Sequence, residues 1–202
     1  MFVLSAGRSG SLSIAKGIKA EEAWCGTHES MPIFVMLGFL RRQFHVCNSA
    51  IIKAIEPRIR IAASTKGRNW LESDSRLFEF IPQICQIFPN AKFIHLTRNR
   101  ESWLKSAFDK GGYKDEIQRN HWNHFQIKPY NDKEFESKKQ KEKLKWYYDF
   151  VNEKILQDSE RFVSSQSILR VSLEDQNKDR LTNEFLGVTK FKFPHLNKSK
   201  IH

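Results

Sequence analysis

FVLSAGRSGSLSIAKGI, residues 2–18, decides how this 202-residue chain is read. Phe2 to Ser5 suits a short buried strand, Gly7 to Gly10 a glycine-rich turn, and from Ser11 the apolar Leu12, Ile14, Ala15 and Ile18 fall at helical spacing. Strand, glycine loop and helix together make an anion cradle. The first turn of a helix has unpaired N–H groups and the positive end of the helix dipole, and glycine lets an anion come close to them. Ser9, Ser11 and Ser13 add hydroxyl donors, and Arg8 stands where its planar guanidinium can fold over a phosphate or sulfate. The competing reading is a tight turn followed by a serine-capped helix.

A loop built for a nucleoside triphosphate carries Lys-Ser or Lys-Thr after its second glycine, the lysine for the terminal phosphates and the hydroxyl for magnesium. Here Gly10 is followed by Ser11 and Leu12. The loop therefore suits a less charged transferring group that is handled without a metal, and a sulfuryl group is such a case.

Outward from the loop, strands and helices alternate. A second strand is expected over Ala23 to Gly26, then the turn Thr27-His28-Glu29-Ser30, then one long apolar helix from Pro32 to about Ala54. RIRIAAS at 58–64 reads as a strand from its alternation, a helix is expected from Asp74 to Phe88, and KFIHLT at 92–97 is the clearest strand of all, running into a helix near Glu101 to Phe108. A last strand is expected at Ser167 to Val171, after a long helix from about Asp132 to Phe162. The alternation points to a three-layer α/β fold with a mainly parallel sheet, whose ligands bind at the carboxyl ends of the strands. Residues 1–202 read as one domain, with a loose, charged, partly helical excursion at about 109–145.

Composition narrows the partners. A 40% hydrophobic share supports a core, while a formal charge of +11 fits a ligand or partner with several negative charges. The longest apolar run, residues 33–40, is too short to span a bilayer, and no leader pattern precedes Phe2, so a soluble cytoplasmic protein is expected. Cys25, Cys47 and Cys85 are an odd, scattered set, read as three buried structural thiols rather than a disulfide framework or a zinc site.

A second anion site is legible in FIHLTRNRESWLKSAF at 93–108. Arg98 stands at a strand end and Ser106 on the helix that follows, with Arg100 and Lys105 near enough to raise the local potential. The competing reading is a solvated basic turn. Two anion sites at the ends of parallel strands suit a nucleotide phosphorylated at two places.

These residues resemble the sulfotransferases that use 3′-phosphoadenosine 5′-phosphosulfate (PAPS). Gly7-Arg8-Ser9-Gly10-Ser11 is similar to that family's 5′-phosphosulfate loop, and Arg98 with Ser106 to its 3′-phosphate pair. FPNAKFIHLTRN at 88–99, SLEDQNKDRLTNEFLGV at 172–188 and FPHLNKSK at 193–200 resemble further family segments. Leu12 departs from the pattern by replacing a second loop hydroxyl, as does Arg100, where proline is common. The resemblance implies a P-loop-like fold, PAPS as donor with no metal, and cofactor contacts at Gly7, Arg8, Ser9, Gly10, Ser11, Leu12, Ser13, Arg98, Ser106 and Lys198. It implies in-line transfer to an acceptor hydroxyl on a small molecule or carbohydrate, with Arg8 stabilising the leaving group.

Glu29 occupies the place of a glutamate base in related bacterial and carbohydrate enzymes, with His28 next in line because imidazole titrates near neutrality. Glu29 alternatively caps the following helix. Glu72 and Asp74 are lesser candidates for the same cleft. His121 and His124 lack a third metal ligand, and Trp122, Phe125 and Tyr130 either stack on an acceptor or anchor the excursion. The family resemblance implies that Glu174 and Asp175 are structural, and Tyr147, Val151 and Ile155 at helical spacing read as core. Two other readings stay open: a kinase-like phosphotransferase with a degenerate loop, and a non-catalytic polyanion-binding module, although no nucleic-acid motif is present and no nucleic-acid partner is expected.

Overall fold

The computed structural model describes residues 1–64, 68–114, 127, 129 and 133–194. In chain order its elements are β1 (Phe2–Leu4), α1 (Ser11–Gly17), β2 (Trp24–His28), α2 (Ile33–Phe44), α3 (Asn48–Ser64), β3 (Asn69–Ser73), α4 (Ile81–Ile87), β4 (Phe93–Thr97), α5 (Arg100–Asp109), α6 (Lys133–Ser137), α7 (Gln140–Phe162), β5 (Ile168–Ser172) and α8 (Lys178–Leu186). The five strands form one sheet in the order β2-β3-β1-β4-β5, and every pairing is parallel. Helices cover both faces, so the expected α/β architecture with layered helices and a parallel sheet is what the chain adopts.

The sheet separates two cores because neighbouring residues of a strand face opposite ways. Phe2 and Leu4 join Phe34, Ile51, Ile55, Phe80, Trp103 and Tyr147 on one face, whereas Val3 joins Ile14, Ile18, Leu71, Ile94 and Phe191 on the other. Tyr147, Val151 and Ile155, four apart on α7, are fully buried as their spacing requires.

Several boundaries differ from the sequence reading. The apolar stretch from Pro32 is two helices, broken at His45, which lies in the left-handed region at φ 50°. RIRIAAS is the end of α3 and not a strand: Ile51, Ile55 and Ile59 are fully buried at a period of four, while Ile61, whose alternation with Ile59 suggests a strand, is 61% exposed. The third strand is instead Asn69–Ser73, which has no β-branched residue and is stabilised by pairing on both sides. Thr27 and His28 finish β2 rather than belonging to the turn. The cysteines are free, but Cys47 is exposed and Cys25 and Cys85 are half-buried, so the expectation of three buried thiols fails. Among the described residues no helix is long and apolar enough to cross a membrane.

The position of α1 depends on Gly26. A Cβ there would lie 2.0 Å from the Ala15 carbonyl oxygen and 2.4 Å from Ile18 Cγ2, so only glycine lets α1 rest on β2 this closely. Gly26→Ala is expected to lower the unfolding free energy by about 1–3 kcal/mol, the range for overpacking, as measured by urea denaturation. Gly187, at φ 67° with open space around it, is the control for backbone strain alone; a Gly187→Ala loss equal to that of Gly26→Ala would refute the packing argument. Thiol reactivity gives a second check. Hydrogen bonds from Ser49 and the Ala50 backbone hold the Cys47 thiol below its ordinary pKa, whereas burial and the charge of Asp158 push Cys85 up to about 11. Iodoacetamide at pH 8 should alkylate Cys47 well before Cys85, read by peptide mass spectrometry.

Candidate functional site

The order of strands creates a crevice. From β1 the chain turns to one side for β2 and β3, then crosses to the other side for β4 and β5, so loops leaving β1 and β4 diverge at adjacent strand ends. Such a switch point is where open parallel sheets hold their ligands. The register puts Leu4 of β1 beside His95 of β4, and the loop residues that follow them line the opening.

The β1 loop is shaped by its own bonds and by its neighbours. Gly7, Arg8 and Gly10 lie in the left-handed region at φ 71°, 50° and 85°. The Ser5 hydroxyl accepts from Gly7 N at 3.2 Å, and Ser9 Oγ donates to the Gly7 carbonyl at 2.9 Å. The same carbonyl accepts the buried Trp103 indole N–H at 2.8 Å. Gly10 is needed for its φ, and the flexible Leu173 side chain closes over it, with Cδ2 2.7 Å from where a Cβ would stand. Ser11 and Ser13 are buried at the start of α1, and Leu12 is half-buried beside them. The proton of Ser9 is committed inside the loop, which makes Ser9 a brace for the turn.

Across the crevice, Arg8 Nε donates to Ser106 Oγ at 3.2 Å, and Arg98 Nη1 donates to the Arg8 backbone carbonyl at 3.2 Å. Arg8 and Ser106, which the sequence reading placed at two different anion sites, therefore meet directly, and the Arg98 side chain reaches the backbone of the same loop. Burial, and then the like charge of Arg98, lower the pKa of the Arg8 guanidinium. Among the described residues neither arginine has a carboxylate partner. Arg100, by contrast, is taken up by a bidentate pair with Asp149 at 2.9 and 2.5 Å, and Lys105 is exposed on α5.

The loops are held from behind. Tyr148 donates its hydroxyl proton to the Arg98 carbonyl at 2.6 Å, and Glu174 accepts from Asn99 N at 2.8 Å and from Ser172 Oγ at 2.6 Å, so Glu174 is structural as expected. Asp175 is also occupied, accepting from Asn177 N. Asn99 caps α5 by accepting from Ser102 N.

The carboxylates lie on the other side of β1. Glu29 follows β2 at φ 48°, exposed, with the Ser75 hydroxyl at 3.4 Å from Oε1. His28 Nδ1 lies 2.8 Å from the Ser73 carbonyl oxygen, a contact that only a protonated Nδ1 can make, which leaves Nε2 as the basic nitrogen. Glu72 is fully buried; burial raises its pKa, outweighing the hydrogen bonds from Ser30 and Thr27 that act to lower it. Asp74 forms a buried bidentate pair with Arg76 and accepts the Arg76 backbone N–H at 2.9 Å, capping the turn. Burial acts to lower the pKa of Arg76, but the bonds to Asp74 and the charges of Asp74, Glu29 and Glu72 outweigh it and raise the value. A cavity of about 400 Å³ between Ile59, Trp70 and Phe88 opens at the opposite, amino-terminal edge of the sheet and touches none of these groups.

Lys198, His121, His124, Trp122, Phe125 and Tyr130 lie outside the described residues. Trp103 and Tyr148 were not singled out from sequence for this site. Each is an aromatic in a helix, which reads as core, and only the paired carbonyls of Gly7 and Arg98 reveal the second use.

With this geometry in hand, residues 71–202 match the model of a sulfotransferase domain. The match contains Arg98, Ser106 and Glu174 and begins after the Gly7–Ser11 loop. Among solved structures, the chain is similar to a sulfotransferase domain from the curacin biosynthetic pathway, at 14% identity and a TM-score of 0.62, covering 93% of this chain and 73% of that one. It is also similar to a sulfotransferase from Alicyclobacillus acidocaldarius, at 15% identity and a TM-score of 0.57, covering 98% and 85%. At these identities the likeness is one of fold. No curated protein sequence matches.

Trp103→Phe keeps an aromatic ring and removes the N–H that holds the Gly7 carbonyl. Loss of that buried bond is expected to cost about 1 kcal/mol in urea denaturation and to reduce the thermal shift that inorganic sulfate gives the protein. An unchanged sulfate shift would mean that the indole only fills space.

Proposed function

The chain belongs to the sulfotransferase-domain family, a family of transferases, and on that premise we propose that it moves a sulfuryl group from PAPS to an acceptor hydroxyl, carbohydrates among the acceptors. The observation that carries the donor assignment is the meeting of Arg8 and Arg98 with no carboxylate partner among the described residues. Two like charges held this close oppose folding, and a nucleotide with phosphates at both its 3′ and 5′ positions relieves the cost. Arg98 and Ser106 would hold the 3′-phosphate, and Arg8 with the backbone N–H groups from Arg8 to Ser11 would hold the 5′ side.

Bound there, the donor supplies a sulfur whose bond to the phosphate oxygen breaks as the acceptor oxygen bonds to it, the electron pair leaving with the phosphate. Arg8 and the loop N–H groups face the charge that grows on that oxygen, where fixed donors act most strongly. Glu29, or His28 through Nε2, accepts the proton that the hydroxyl gives up. The positive loops thus serve the donor, while the carboxylates on the far side of β1 serve the acceptor.

Calorimetry with adenosine 3′,5′-bisphosphate, the desulfonated product, tests the donor site. The wild type should bind it in preference to magnesium-ATP, and Arg8→Ala and Arg98→Ala should each weaken binding by about 10- to 100-fold, the usual worth of a hydrogen bond to a charged group. Absence of binding, or a preference for magnesium-ATP, would sink the sulfuryl-donor reading in favour of a kinase-like one. Transfer of radioactive sulfur from labelled donor to a panel of sugars and small alcohols then tests the base. Glu29→Gln is expected to lower kcat by about 100-fold or more with the bisphosphate affinity unchanged; a wild-type rate would move the role to His28.

A further inference from the structure

Every residue of the Thr27–Ser30 corner is bonded to the dipeptide Glu72-Ser73 on the neighbouring strand. Thr27 Oγ1 lies 2.5 Å from Glu72 Oε2, and Ser30 reaches Glu72 twice, N to Oε1 at 3.0 Å and Oγ to Oε2 at 2.5 Å. Between them, His28 Nδ1 and Glu29 N both donate to the Ser73 carbonyl, at 2.8 and 3.0 Å. The parallel register sets Thr27 beside Glu72 and His28 beside Ser73. We infer that Glu72 is a positioning residue: its buried carboxylate fixes the corner that presents His28 and Glu29 to the acceptor. This inference rests on the function proposed above.

The chemistry calls for a carboxylate. Three donors converge on two oxygens, and only an acceptor-only group can take all three; an amide would turn an NH₂ toward one of them. The Trp70 indole donates to Thr27 Oγ1 at 2.7 Å, and of the two acceptors within reach of the threonine proton, Glu72 Oε2 at 2.5 Å is closer than the Leu71 carbonyl at 3.1 Å. Burying a carboxylate is costly, and among the described residues no basic side chain is bonded to this one, since the nearby Arg76 is paired with Asp74. The adjacent Leu71 meets the needs of an interior strand with an apolar side chain, so the charge at Glu72 has a different purpose. Glu72 itself is unsuited to take a proton from the acceptor, because it is 0% exposed and its oxygens are already occupied by donors.

What the clamp holds is a conformation that the backbone resists. Glu29 lies in the left-handed region, unfavourable for a residue with a Cβ. Bonds on either side of it, from Thr27 and Ser30 to Glu72, keep it there, while the Ser73 carbonyl keeps His28 in one tautomer. Releasing Glu72 frees both candidate bases without touching the crevice between β1 and β4.

Three variants test this in the full chain: Glu72→Gln, Ser30→Ala and Ser30→Thr. Ser30 is exposed, so its alanine variant should fold even if the buried substitution does not. The readouts are affinity for adenosine 3′,5′-bisphosphate, the imidazole ¹⁵N signals of His28, and slow release of the bisphosphate and sulfate from PAPS with water as acceptor. Glu72→Gln and Ser30→Ala should bind the bisphosphate within about twofold of wild type, lose the single Nδ1–H tautomer of His28, and turn over at least about tenfold more slowly with the donor KM unchanged. Ser30→Thr, which keeps the hydroxyl, should restore both signal and rate. Wild-type turnover and an unchanged tautomer in Ser30→Ala would overturn the positioning role. A wild type that binds the bisphosphate but never turns over would remove the proposed function instead, and the imidazole signals would then decide the role of Glu72 alone.

Discussion

The site depends on the three residues of β1. Phe2 and Val3 are paired on both sides, with β3 at Phe2–Glu72 and with β4 at Phe2–Phe93, and Leu4 pairs with β4 at His95, so the register of the strand is fixed from two directions at once. A slip of one residue would turn Val3 into the core that holds Phe2 and Leu4 and bury the wrong face of the strand. It would also carry Arg8 away from Ser106 by about 3.3 Å, the rise of a single strand residue. The hydrophobic alternation of a short strand thus fixes the placement of a guanidinium four residues further on.

Charge is divided across that strand. On the side of β4 the crevice has Arg8 and Arg98, with hydroxyls; on the side of β3 lie the exposed Glu29 and the buried Glu72 and Asp74, with Arg76 balancing one of them. A reaction that moves a group from an anionic leaving oxygen to a hydroxyl needs this polarity, because negative charge must be stabilised at one end while a proton is removed at the other. The overall excess of basic residues conveys none of this local division.

How much of this could be read from the residues varies with the physics involved. The loop after β1, and the strand end at Arg98 running into the helix of Ser106, were legible because their spacing encodes backbone geometry, whereas the bond that Ser106 accepts from Arg8 was not. β3 was not, since Asn69–Ser73 has little intrinsic preference for a strand and is extended because β1 and β2 flank it. RIRIAAS misled for the converse reason, its local alternation being overruled by the four-residue period that begins at Ile51. Glu72 was visible only as one carboxylate among several. Its bonds to Thr27 and Ser30 cross more than forty positions and become evident only once β2 and β3 lie side by side.

The contact between Gly10 and Leu173 bears on the order in which the molecule is made. Residues of the glycine loop leave the ribosome early, yet the side chain that closes over them belongs to the connection after β5, and α1 leans on Phe191 and Lys192 later still. The glycine loop and α1 therefore gain their full packing only after the chain beyond β5 has been made. A nascent chain that already carries Arg8, Arg98 and Ser106 still lacks these packing partners until nearly all of the described residues have emerged, so completion of the loop becomes a late event in the maturation of the protein.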